Sequence, residues 1–153
     1  MNIKTQQYIR DLDSLKTKTE NENDEEVKSY LVKLMCVRTA GLLEVFLKTR
    51  ISEYSKGKMP PEINRFLTSK FKDITNLKSS KFEDVLNSFS VDWRDKFRSY
   101  LDDHEQEKLS LDSVIAQRHN IAHGQPSNIG LASMVQYYDD VKSIVVYLDT
   151  IIK

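Results

Sequence analysis

The chain has little of what interrupts or cross-links a fold. Its 153 residues include one cysteine, four glycines and three prolines. A lone cysteine excludes an internal disulfide and a cysteine-based zinc site. So few turn formers argue against a β-sandwich or a loop-rich architecture, both of which need many turns. Charge of one sign is also missing. Lys+Arg and Asp+Glu each number 23, so the net charge is zero. The broadly basic surface common in nucleic-acid binders is therefore absent, and any such contact must be local or assembled from two chains. No apolar run approaches the roughly 20 residues that a membrane-spanning helix needs. The N-terminal Met-Asn-Ile-Lys-Thr-Gln-Gln has no apolar h-region, so a cytoplasmic protein without a membrane association is expected.

What is present is helical periodicity. Hydrophobic residues make up 39% of the chain and charged residues 30%, enough for a core within one expected domain, residues 1–153. A first helix over residues 3–19 carries Tyr8, Ile9, Leu12 and Leu15 at helical spacing. The acidic stretch 20–26 follows, with Asp24 able to cap a second helix over 24–56. That helix is apolar nearly all round between residues 31 and 47, which predicts a central position or a second subunit against it. Cys36 lies in this run and reads as a buried small hydrophobe. Gly57 and Pro60-Pro61 end the helix.

Shorter elements come next. A third helix over 62–72 is expected to turn Ile63, Phe66, Leu67 and Phe71 inward. Residues 74–81 give no clear pattern. A fourth helix over 81–89 and a fifth opened by Asp92 follow. The last two helices, 109–123 and 130–152, are the clearest. The final one repeats apolar residues from Met134 to Ile152 at i, i+3, i+4 and i+7. The short loop 125–128 between them implies an antiparallel hairpin. The expected fold is all-α, an up-and-down helical bundle with one long central helix and a C-terminal antiparallel helix hairpin.

The densest group of reactive side chains sits at the turn of that hairpin. His104, His119 and His123 are the only histidines, and two of them adjoin Arg118 and Asn120. Arginine offers a planar fork of donors that suits phosphate oxygens. Histidine moves protons near neutral pH. The combination can cleave an RNA phosphodiester without metal: one group assists attack by the 2′-hydroxyl, another protonates the leaving oxygen, and arginine stabilises charge on phosphorus. Arg118 and His123 are five residues apart, about 140° around an ideal helix. Either the helix end unwinds or the pair straddles a groove. The alternative is structural, with both side chains capping the last carbonyls of their helix. Tyr137 and Tyr138 fit core packing better than base stacking. No metal constellation is visible.

The segment Arg118-His119-Asn120-Ile121-Ala122-His123-Gly124 resembles the HEPN signature, an arginine followed after four to six residues by a histidine. Stand-alone bacterial members read roughly Arg-Asn-x-Ile-Ala-His-Gly on the penultimate helix of an all-α bundle. The apolar last helix is similar as well. So, more loosely, is the stretch from Arg38 to Phe46, where an arginine precedes Glu44-Val45-Phe46. Bare spacing does not single out this segment, because Arg98 and His104 also satisfy it; the flanking Asn-Ile-Ala-His-Gly does. The chain departs from the pattern in one respect: His119 stands where asparagine often follows the arginine.

The resemblance implies a metal-independent endoribonuclease that needs no cofactor and acts on RNA as a homodimer. It also implies a role in toxin–antitoxin systems or antiviral defence, with an antitoxin or defence-system partner protein. Arg118 and His123 are the expected catalytic pair. Asn120 and His119 are expected to support the site or bind RNA. Glu44 and Arg38 are unusual charges in an apolar stretch: one could reach the site from the long helix, and a structural ion pair or a dimer contact is the alternative. The competing possibility is a non-catalytic HEPN module that binds RNA or docks a partner.

Overall fold

Asp24 begins the longest element. Its side chain accepts from the backbone N–H groups of Glu26 (2.9 Å) and Val27 (3.0 Å), satisfying two donors that a helix start leaves free. In this computed structural model, which describes residues 1–153, helix α2 then runs over Glu25–Ser55. Before it lies α1 (Ile3–Glu20), capped by Asn2. After it come α3 (Pro61–Phe71), α4 (Ser79–Phe89), α5 (Val91–Asp103), α6 (Glu105–Ala122) and α7 (Leu131–Ile151). All regular structure is helical, as expected. Gly57, with φ of 74°, follows α2 in the left-handed conformation that glycine adopts without cost.

The long helix is central. Met35, Cys36, Leu42, Leu43, Leu47 and Ile51 are fully buried, covered by α1, α6 and α7. Cys36 donates weakly to the Val114 carbonyl on α6 (3.5 Å), and burial pushes its thiol up to about 12. It is an inert core residue. Polar bonds fix the helix directions. Thr5 meets Thr49 and Arg38 lies 3.9 Å from Asp11, so α1 and α2 are antiparallel. Met1 pairs with Asp149 and Asp13 with Lys142, so α1 and α7 are antiparallel too. Ser127 donates to Gln117 and Ser110 to Asp140 across the α6–α7 hairpin. It follows that α6 runs antiparallel to α2, and the first third of α2 lies level with the last turns of α6.

One polar junction ties α1 to α7. The Tyr138 hydroxyl donates to Asp13 (2.6 Å), and Lys142 Nζ donates to both of its carboxylate oxygens (2.9 and 3.1 Å). Burial raises the Asp13 carboxyl, but these bonds and the charges of Lys142 and Lys16 outweigh it and hold it below its ordinary 3.8. A depressed carboxyl contributes stability above its unfolded value and loses it as pH falls through its folded value. Asp13→Asn is therefore expected to lower stability at neutral pH and to flatten its decline below about pH 4. Urea melts from pH 7 to 3 read this directly; parallel curves for the two proteins would refute it.

The structure corrects α3. Leu67 and Phe71 face the core, but Ile63 is 49% and Phe66 59% exposed. The helix touches α2 along one edge, and Lys70 lies 5.4 Å from the Phe66 ring on the outside. Trp93 and Phe97 of α5 are buried, and α5 opens at Ser90, whose hydroxyl oxygen accepts from Trp93 N–H. Asp92 lies inside the first turn rather than at the cap.

Candidate functional site

Helix α6 does not unwind before His123. It stays regular to Ala122, with His123 as its C-cap. Gly124, at φ of 65°, donates to the Ile121 carbonyl (3.2 Å), and Gln125 N–H reaches the Asn120 carbonyl (2.8 Å). This paired closure is the Schellman arrangement, and it needs the left-handed glycine. The His119, Asn120 and Ile121 carbonyls are therefore satisfied by backbone, and the Arg118 and His123 side chains are not used as caps. The two side chains leave a regular helix in different directions, and neither lines the groove that His119 and Asn120 face.

Arg118 is half-buried. Its Nη1 donates to the side-chain oxygen of Asn76, in the irregular segment between α3 and α4. Among the partly buried arginines, Arg38, Arg50 and Arg94 each have a carboxylate within ion-pair distance. Arg118 has a neutral amide instead. A half-buried cation without a counter-charge is electrostatically suited to meet an anion, and a guanidinium with one of five donors engaged keeps a fork for phosphate oxygens.

His119 and His123 are one helical turn apart on the same face, their ring centroids separated by 4.4 Å. Both are exposed. His119 and Asn120 line an open groove of about 660 Å³, together with Asn76, Lys78, Lys81, Asp112 and the apolar Ile115 and Ala116. The residue that departs from the family pattern thus stands in the groove. Lys81 donates to the Thr75 carbonyl from the same wall. Asp112 is occupied: its oxygens accept from the backbone N–H (2.7 Å) and hydroxyl (2.8 Å) of Ser79, closing the N-terminus of α4. The groove therefore presents lysines, one imidazole and amides, while its carboxylate is already bonded.

The two charges on α2 separate. Glu44 reaches the groove's edge, accepting from Asn76 N–H at 3.3 Å. Arg38 turns the other way, its guanidinium carbon 4.9 Å from the Tyr8 ring and near Asp11. The Tyr8 hydroxyl lies over Gly41, where an added Cβ would come within 2.5 Å of it. Sequence reading does not single out Asn76, Lys78 or Lys81. Their signal is weak: an asparagine in an unpatterned segment, whose relation to α6 exists only in three dimensions. Tyr138 is buried with its hydroxyl committed, so it has no free face for a ligand. Arg98 is paired with Glu83, and His104 stacks on Tyr100, away from this groove.

An all-helical bundle with Arg-His-Asn-Ile-Ala-His-Gly closing its penultimate helix defines a HEPN-type protein. The RiboL-PSP-HEPN family model matches residues 3–153, and the chain belongs to that family. No curated protein and no solved structure gives a significant match. Membership assigns an RNA-related nuclease or binding module.

Proposed function

We propose that this protein is a metal-independent endoribonuclease, working as a homodimer in toxin–antitoxin or antiviral defence under the control of a partner protein. The observation that carries this is Arg118, half-buried against a neutral amide and followed within one and a half turns by two imidazoles. In the proposed reaction Arg118 holds the scissile phosphate. One imidazole takes the 2′-hydroxyl proton as that oxygen attacks phosphorus. The bond from phosphorus to the 5′-oxygen breaks, and His123 gives that oxygen a proton. The products are a 2′,3′-cyclic phosphate and a 5′-hydroxyl. Asn120 and the groove lysines, Lys78 and Lys81, position the strand.

Two features favour a dimer. Arg118 and His123 project in different directions from one helix, so a second copy can complete the cleft. Val27, Tyr30, Leu34 and Val37 also form one exposed apolar stripe on α2, with Tyr30 60% exposed, level with the end of α6. A paired stripe would bring two such helix ends together. The same divergence of Arg118 and His123 favours the second reading, a module that binds RNA without cutting it.

Total RNA incubated with the purified protein in excess EDTA separates the two. Cleavage is expected to persist. Intact RNA at high protein concentration, or cutting only with added Mg²⁺, would contradict the proposal. A dimeric mass at micromolar concentration is expected alongside, and a monomer would remove the shared cleft.

A further inference from the structure

We propose that Asn76 is a positioning residue for Arg118, a neutral tether that fixes the guanidinium beside the groove Asn76 lines while leaving its positive charge free for a phosphodiester; this rests on the phosphate-binding role given to Arg118 above.

Asn76 is the only non-glycine residue with positive φ, at 53°. Asparagine tolerates the left-handed conformation better than most side chains, yet holding it there still needs surrounding support. That support is visible on every side. The Glu44 carboxylate accepts the Asn76 N–H. Leu77, the next residue, is fully buried. The Asn76 carbonyl accepts from Lys78 N–H (2.9 Å). Before it, the Thr75 carbonyl is held by Lys81, and after it Ser79 is bonded twice to Asp112 of α6. A segment without regular structure is pinned from α2, α4 and α6, and the one side chain it sends to Arg118 is Asn76.

The choice of an amide has a consequence. A carboxylate at this position would bond Arg118 more strongly, in the charge-assisted way that Arg94 is bonded to Asp95. It would also offset the charge that a phosphate needs. Glu44 shows the division of labour: the acid stops one residue short, bonding the backbone of Asn76 rather than the guanidinium.

Two variants separate positioning from folding. Asn76→Gly keeps a residue at ease with positive φ and keeps the backbone N–H for Glu44, removing the side-chain amide whose oxygen accepts from Arg118. Asn76→Asp keeps an acceptor for Arg118 and adds a charge. The first readout is binding of a 2′-O-methyl oligonucleotide, which cannot be cleaved, across a salt series. Asn76→Asp is expected to bind about tenfold more weakly and to reduce the slope of log affinity against log salt by about one phosphate contact. The second readout is the Nε–Hε resonance of Arg118, which should shift in Asn76→Gly. Where cleavage is measured, Asn76→Gly should lower kcat by about 10–100-fold with a smaller change in KM. Unchanged melting with these effects supports the assignment. An unaltered salt slope in Asn76→Asp, or an Arg118 resonance unmoved in Asn76→Gly, overturns it. If the wild type binds the oligonucleotide but cuts no RNA, the nuclease reading fails, and the salt slope and resonance still decide the role of Asn76.

Discussion

Arg118→Ala is expected to lower RNA cleavage by at least about 100-fold, and His123→Ala by about 100- to 10,000-fold, with the melting temperature of each within a few degrees of wild type. The size follows from what each group does in the proposed reaction. Removing a preorganised cation exposes the developing phosphorane charge, and removing a proton donor leaves the 5′-oxygen a poor leaving group. The small stability effect follows from their surroundings. Arg118 makes one side-chain bond, to Asn76 at an open groove where water can replace it. His123 is an exposed C-cap whose helix end is closed by backbone bonds from Gly124 and Gln125. His104→Ala is the control. It sits on the other Arg-to-His spacing, stacked on Tyr100 with its Nδ1 2.8 Å from the Tyr100 carbonyl. It should retain full activity. Equal activity in all three variants would dissolve the assignment.

The largest effect on stability is expected from Phe82→Ala. Phe82 is fully buried on α4 and packs against Phe97 of α5 at a ring separation of 5.3 Å. Truncating a buried phenylalanine costs about 3–5 kcal/mol through lost burial and the cavity left behind. In a chain of this size that lowers the melting temperature by about 10 °C. The consequence reaches the groove as well. Helix α4 begins at Ser79, whose bonds to Asp112 anchor the segment carrying Asn76. A loosened α4 should therefore raise KM for RNA before the protein unfolds. Denaturant unfolding gives the first quantity and a titration of RNA the second. A loss below 1 kcal/mol would mean that the α4–α5 pair is not part of the cooperative core.

How far the sequence reveals this molecule depends on the range of the interactions. Helices α2, α6 and α7 are legible because their apolar residues repeat over many turns, and Asp24 and Gly124 mark ends by local chemistry. The boundary of α6 is less so: it starts at Glu105, before its apolar pattern begins. In α3 the period is right, but Ile63 and Phe66 are exposed. Periodicity tells which residues share a face, not whether a neighbour covers it. Residues 74–81 give no clear period. Their order comes from Glu44, Asp112 and Arg118, each more than 30 positions from its partner in the segment.

The same distinction applies to the candidate site. Arg118, His119, Asn120 and His123 are adjacent in sequence, so their cluster is readable. Their environment is not. That Arg118 meets an amide while other partly buried arginines meet acids is a fact of tertiary packing. So is the parting of Glu44, at the groove, from Arg38, which leans on Tyr8. His119, the residue out of pattern, gains a place from geometry alone, beside His123 and inside the groove.

The central claim is that this arginine and these imidazoles cut RNA by attack of its own 2′-hydroxyl. End-group analysis by mass spectrometry of a defined RNA oligonucleotide, digested in EDTA, tests it most directly. The account predicts fragments ending in a 2′,3′-cyclic phosphate and beginning with a 5′-hydroxyl, and no cut at a position carrying a 2′-O-methyl group. Fragments with a 3′-hydroxyl and a 5′-phosphate, or cutting that ignores the 2′-O-methyl block, would contradict it.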